Sequence, residues 1–354
     1  MNPAVRLGGL LLAALAFGLG GCTIGRETAP ETTRQLRVET VRRLIDRPAL
    51  SPAAWSPDGR QFAYGGADGI YVTAPVGSPR RVAPAEVVTA LSWSRRLNLL
   101  AVVDRWVLWT MRPDGGDRRQ ITVAGFVTAA VWAPGSDRLA IVVRRPLLGT
   151  SRFELWLVSR DGGFRRFVTA APPGRAIRSP QWLPNSLHLI YGLSIPSESA
   201  ISEAWQVRIA YPDHRPVPLD GPAVEFALAP SGRQIAYVTG PDVADGVGRV
   251  ILSRLDGRGR FSLTPEEGRY AGLAWSPQGD KLAFAILEDE AHAQLWIADG
   301  DGSGRLLVHD YALELTDPSI SLTTAWAPDG RRLLFGTNTG TFTGPIWLAT
   351  LARR

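Results

Sequence analysis

Apolar residues along this chain fall in short bursts broken by tight polar turns, and one unit recurs. A short apolar strand ends in Trp, a Pro/Gly turn follows, and a second apolar strand begins at once. The anchors are Ala54-Trp55-Ser56-Pro57-Asp58-Gly59, Ser92-Trp93-Ser94, Val131-Trp132-Ala133-Pro134, Gln181-Trp182-Leu183-Pro184, Ala227-Leu228-Ala229-Pro230, Ala274-Trp275-Ser276-Pro277 and Ala325-Trp326-Ala327-Pro328. They are 38, 39, 50, 46, 47 and 51 residues apart. Pro presets φ for a reversal and Gly completes it. The second strands, such as Leu139-Ala140-Ile141-Val142 and Leu282-Ala283-Phe284, are nearly continuous apolar runs. Such runs suit strands covered on both faces. Third strands carry Leu108-Trp109, Leu155-Trp156-Leu157 and Ile346-Trp347-Leu348, with Trp205 slightly out of register in the fourth unit. Asp-Gly hairpin turns follow several of them.

Fourth strands open on paired arginines, Arg80-Arg81, Arg118-Arg119 and Arg165-Arg166. Charge suits an exposed outer edge, because it blocks strand-to-strand aggregation. Pro216 and Pro218 fit the outer strand of the fourth unit for the same reason. Seven units of four antiparallel strands predict an all-β, seven-bladed β-propeller. The last unit lacks a fourth strand, and the stretch from Val41 to Ile45 has the fourth-strand pattern. The expected domain is therefore 36–354, with residues 37–46 completing the seventh blade and closing the ring.

The amino terminus reads as an address. Arg6, an apolar run from Leu7 to Leu19 and then Gly20-Gly21-Cys22 form a signal-peptide pattern, too short for a permanent membrane span. Leu19-Gly20-Gly21-Cys22 resembles the bacterial lipobox. That implies cleavage after residue 21, lipid on Cys22, and a membrane-anchored protein of the bacterial cell envelope. Residues 22–35 are polar and read as a tether.

Composition narrows the classes. The chain has 354 residues, 45% hydrophobic and 20% charged, enough for a large core and too apolar for disorder. A single Cys leaves no internal disulfide framework. The net charge of +6 is mild and dispersed, which argues against nucleic acid as a partner.

The Trp-Ser-Pro-Asp-Gly turn followed by an apolar strand resembles the repeat of TolB-type propellers. Such propellers include TolB, the propeller half of prolyl-oligopeptidase-like enzymes and the propeller of the lipoprotein LpqB. The resemblance covers nearly all of residues 37–352, and is weakest at the second unit, where Ser94-Arg95-Arg96-Leu97 replaces the turn, and at the fifth, where Leu228 replaces Trp. It implies a WD40-like scaffold that binds other proteins.

Catalytic motifs are absent from the sequence: no His-Glu-x-x-His run, no Gly-x-Ser-x-Gly elbow and no hydrolase domain. No cofactor is expected. Asp299-Gly300-Asp301-Gly302-Ser303, with Asp310 further on, matches the start of a calcium loop, but no helices flank it and a loosened hairpin turn explains it as well. In an antiparallel blade the 1–2 and 3–4 turns share one ring face, and the 2–3 and 4–1 loops share the other. The second face carries the loop-length variation, and its charge changes sign around the ring. Blade three offers Arg144 and Arg145. Blades four to six offer Glu198, Glu203, Asp242, Asp245, Glu288, Asp289 and Glu290. The expectation is a monomeric, non-enzymatic, lipid-anchored interaction scaffold that docks another envelope protein on this face. The alternative is a small-molecule or metal-binding propeller, lactonase-like or another hydrolase, with its site over the central channel.

Overall fold

A computed structural model of the chain describes residues 32–45, 53–195, 204–210, 215–240, 246–289, 292–312, 321–338 and 343–354. The strands form seven antiparallel sheets. Blade one is Ala54–Trp55, Phe62–Gly66, Gly69–Thr73 and Arg80–Pro84, and blade two is Val88–Trp93, Leu100–Asp104, Val107–Met111 and Arg119–Ile121. Blade three is Phe126–Trp132, Arg138–Leu147, Thr150–Ser159 and Arg165–Ala170. Blade five is Glu225–Leu228, Gln234–Thr239, Arg249–Arg254 and Phe261–Ser262, and blade six is Arg269–Trp275, Lys281–Leu287, His292–Asp299 and Arg305–Ala312.

Blade four departs from the expected four strands. It holds Ile177–Trp182, Leu189–Ser194 and Trp205–Ile209, and its outer position is reduced to two isolated bridges, Arg208 with Pro216 and Trp205 with Ala223. Val217 N still donates to Val207 O at 2.9 Å, so Pro216 and Pro218 take the positions whose N–H would face out from the edge, where proline is tolerated.

Blade seven is Ser321–Trp326, Arg332–Asn338 and Thr343–Arg353, and its outer strand is the amino-terminal Leu36–Ile45. The pairing runs from Leu36 opposite Arg353 to Ile45 opposite Ile346. The expected closing strand is present and begins one residue earlier, at Leu36. A short 3-10 turn, Thr33–Gln35, precedes it. Buried Thr33 donates its N–H to Asp299 Oδ1 at 2.8 Å and its hydroxyl to Asp299 Oδ2 at 2.8 Å. These bonds pin the closing strand to blade six.

The buried apolar residues divide into seven clusters, one at each seam between successive blades. Leu100, Val102 and Met111 pack with Ala63 and Val72 between blades one and two. Ile45, Trp55, Phe62 and Leu334 fill the closing seam between blades seven and one. Each fully buried Leu or Ile contributes about 1.5–3 kcal/mol. This placement explains the continuous apolar second strands: Leu139 and Ile141 face blade two, while Ala140 and Val142 face blade four.

The repeated turn is built the same way in every blade. The residue after the anchor donates its N–H to the carbonyl five residues on, as in Ser56 to Gln61, Ser276 to Lys281 and Ala327 to Arg332. Blade two keeps this bond, Ser94 to Leu99, although it lacks the Pro-Asp-Gly sequence. Gly59 sits at φ +67°, and a Cβ there would come within 3.2 Å of the Pro328 ring of the neighbouring turn. The 1–2 turns therefore pack on one another around the ring.

Candidate functional site

The anchor tryptophans do more than fill seams. The indole of Trp55 donates to Ala325 O at 2.9 Å, Trp182 to Val131 O at 3.1 Å, Trp275 to Ala227 O at 3.0 Å and Trp326 to Ala274 O at 3.0 Å. Each acceptor is the residue before the anchor in the preceding blade, so the bonds stitch inner strand to inner strand. Where Leu228 replaces Trp, Gln181 reaches from blade four to accept from Leu228 N at 2.7 Å and donate to Phe226 O at 2.9 Å.

Around blade two the stitching fails. The Trp93 indole turns into its own blade and donates to Asn98 Oδ1 at 2.8 Å. Trp132 Nε1 is buried without an acceptor. Thr89 Oγ1 and Arg118 Nε, both of blade two, complete the buried unpaired side-chain atoms among the described residues. Each such group costs about 1–3 kcal/mol.

The face formed by the 2–3 and 4–1 connections is irregular at the same place. The two-residue loop between Asp104 and Val107 is Arg105-Trp106, with φ +47° and +65°. Hairpin loops of this kind favour Asn-Gly, and a non-glycine residue held there costs on the order of 1–3 kcal/mol. Asp104 secures the loop by accepting from the N–H groups of Glu86 and Val87 at 3.0 and 2.9 Å. The outcome is an indole 45% exposed. Its neighbours continue the patch: Trp106 O accepts from Val127 N at 2.8 Å, Arg105 N donates to Val87 O, and both Phe126 and Val87 are exposed.

Blade three adds the longest 2–3 hairpin among the described residues, paired from Arg138 opposite Ser159 to Leu147 opposite Thr150. Its tip exposes Leu147 and leaves Leu148 fully in solvent. Along the stem, Glu154 is only 6% exposed and collects three donors. Arg145 Nε lies 2.7 Å away, Arg152 Nε 3.5 Å and the Trp156 indole 2.8 Å. Two arginines thus share one carboxylate. Arg144 stands exposed with its guanidinium 5.6 Å from the centre of the Phe126 ring.

The expected charge pattern is therefore only half on view. Arg144 and Arg145 are adjacent on the 2–3 hairpin of blade three, their side chains on its opposite faces. On the acidic side Glu288 and Asp289 are exposed, and His292 Nδ1 meets Asp289 at 3.1 Å. Glu198, Glu203, Asp242, Asp245, Glu290 and Cys22, the expected lipidation site, lie outside the described residues.

The calcium-like residues do not converge. Asp299 is taken up by Thr33 and by the Ser303 hydroxyl, Asp301 accepts from Ser303 N at 2.9 Å, and Asp310 pairs with Gln294. Gln294 lies five residues from Asp299 on one strand, so Asp310 sits roughly 17 Å away from the turn. Among the described residues no three His, Cys, Asp or Glu gather to hold a metal ion. No helix among them is long and apolar enough to cross a membrane.

One carboxylate escapes sequence reading altogether. Glu225, on the inner strand of blade five, accepts from Gly272 N at 2.9 Å and Leu273 N at 2.8 Å in the next blade. Gly272 O in turn accepts from Thr324 Oγ1 of blade seven at 2.6 Å. Glu225 keeps some solvent contact, but dense protein surrounds its carboxyl. Burial pushes its pKa up to about 7 against the pull of the two N–H donors.

No family model matches the sequence. Among solved structures, the β-propeller domain of Cps50 (Swd1) from Myceliophteria thermophila is 16% identical, with 88% of this chain and 99% of that one covered and a TM-score of 0.57. An oligogalacturonate lyase in complex with manganese is 14% identical, over 88% and 93% of the two chains, with a TM-score of 0.65. A putative TolB from Agrobacterium tumefaciens superposes more loosely, at 17% identity over 88% and 91% with a TM-score of 0.45. Identity this low carries the fold alone: the chain is a seven-bladed β-propeller.

Proposed function

We propose that this propeller is a lipid-anchored, extracytoplasmic scaffold that binds another envelope protein and performs no chemistry itself. The observation that supports this reading best is the contrast between its faces. One face is occupied by turns that pack blade on blade. The other presents exposed aromatic and charged groups on a strained loop and a projecting hairpin. Rigid rings with irregular loops on one side are where recognition concentrates. The lipobox-like Leu19-Gly20-Gly21-Cys22 supplies the anchor, and the LpqB-like repeat pattern belongs to the same reading.

A second reading, a ligand or metal site over the central channel, is favoured by Glu225, a carboxylate that titrates near neutrality on an inner strand. One experiment separates the two. Cells carrying the wild type, Cys22→Ser, or serine replacing Glu288, Asp289 and Glu290 are fractionated and crosslinked, and the purified protein is melted with calcium or manganese. The scaffold reading expects Cys22→Ser to leave the membrane fraction and the serine variant to lose a discrete crosslinked partner. A stoichiometric metal with a large rise in Tm, and unchanged crosslinks, would move the assignment to the channel.

A further inference from the structure

The exposed patch on blades two and three has three features that folding alone does not call for. A Trp occupies a left-handed loop position where Gly or Asn would relieve strain. Leu147 and Leu148 are carried outward on the longest 2–3 pairing among the described residues. Arg145 and Arg152 share a single carboxylate, Glu154, on one face of the hairpin and Arg144 lies beside Phe126 on the other, which leaves the stem with excess positive charge. The surface is contiguous, because backbone bonds tie Val87 to Arg105 and Trp106 to Val127, and Phe126 pairs with Arg144. Exposed apolar groups edged by unspent cations match a ligand that offers apolar side chains beside carboxylates.

An anionic bilayer offers related chemistry, and chain length argues against it. Thr33 is pinned to the turn-bearing face, and the strand Leu36–Ile45 runs from there to the opposite face. That strand covers about 33 Å. Ten residues separate Cys22 from Thr32 and reach at most roughly 36 Å. A tether that must first descend the full rim has nothing left for a hairpin that stands beyond the far face, three to four blades away. The choice of a polypeptide over the anchoring bilayer rests on the proposed anchor at Cys22.

We propose that the Trp106–Phe126 patch and the Leu147–Leu148 hairpin of blades two and three form a docking site for an acidic, apolar segment of a partner polypeptide. The segment lays its apolar side chains on Trp106, Phe126 and Leu148 and its carboxylates against Arg144. Arg145 stays on Glu154 and holds the hairpin stem upright.

The test uses the full-length mature chain, immobilised, against a displayed library of random twelve-residue peptides. The expected enrichment is for sequences with Asp or Glu beside Leu, Phe or Trp. A synthesised winner should bind W106G and R144E at least tenfold more weakly, while the Tm of W106G holds or rises because the loop strain is relieved. Winners that bind both variants as well as wild type, or enrichment of basic sequences, would overturn the proposal. A fall in Tm of W106G with binding intact would make Trp106 a structural residue and overturn it too. Phosphatidylglycerol vesicles form a parallel arm: binding that W106G and R144E abolish would identify a lipid ligand and reject the polypeptide. Fractionation of wild-type cells reads the anchor separately, so a soluble chain with intact Cys22 would refute the anchoring without touching the peptide result.

Discussion

The seam that closes the ring and the seams around blade two use the same repeat to different ends. At the closing seam the Trp55 indole donates across to Ala325 O, Arg332 lies 4.9 Å over the Trp55 ring, and Arg332 Nη2 donates to Gly59 O at 2.8 Å. Every local feature there serves adhesion between blades. Around blade two, Trp93 bonds within its own blade, Trp132 lacks an acceptor and Thr89 is unpaired. The same blade holds the two adjacent left-handed residues and the exposed indole. A repeat protein is free to give up local consistency where its neighbours hold it, and such places concentrate at functional surfaces. The difference teaches that blade two depends on the ring more than it supports it.

The largest effect should come from breaking the better seam outright. A chain lacking residues 1–45 removes the outer strand of blade seven and the Thr33–Asp299 pin, and leaves Thr343–Arg353 as a bare edge. Cooperative thermal unfolding followed by near-ultraviolet circular dichroism should be lost. A sharp transition retained near the wild-type Tm would show that the closing strand is dispensable.

A smaller effect concerns the stitched seam between blades five and six. The Glu225 carboxyl titrates near 7 in the fold against 4.5 in the unfolded chain, so the folded state binds the proton more tightly. The contribution of this carboxyl to stability is then greatest below pH 4.5, declines as pH rises from 4.5 to 7, and is flat above, with a swing on the order of 3 kcal/mol. Glu225→Gln should flatten that interval in urea midpoints measured between pH 4.5 and 8. An unchanged slope would mean that another group sets it.

The finest test compares tryptophans directly. Trp275→Phe and Trp326→Phe each remove an indole donor from a buried carbonyl and should cost about 1–3 kcal/mol beyond the lost packing. Trp132→Phe removes a donor that has no acceptor, and should cost about 2 kcal/mol less than either. Equal losses at all three positions in urea unfolding would erase the distinction between stitched and unstitched seams.

The fold was legible because its signals are local. Pro57-Asp58-Gly59 and its counterparts mark turns by backbone geometry, and runs such as Leu139 to Val142 mark strands covered on both sides. The closing strand was legible by counting, since one blade ended short and one apolar stretch had no home. The site was less legible. Arg144 and Arg145 read as free charges in sequence, yet one leans on Phe126 and the other on Glu154. That follows from a register of Arg144 opposite Phe126 and Arg145 opposite Arg152, which no spacing reveals. Trp106 did leave a trace: a two-residue gap between Leu100–Asp104 and Val107–Met111 with neither Gly nor Asn in it. Asp299 stayed ambiguous in sequence because its Asp-Gly-Asp-Gly context is shared by calcium loops and hairpin turns, and the approach of Thr33 from 266 positions away is visible only in the fold.

By itself, the sequence determined how many blades there are, where each turns and which stretch closes the circle. All three depend on φ preferences and on apolar periodicity within about ten residues. Tertiary structure alone decided which indole finds a carbonyl, which carboxylate is surrounded by protein and which aromatic is left in water. Those outcomes depend on distances between blades, set by register and bulges across the ring, where residues remote in sequence first acquire neighbours.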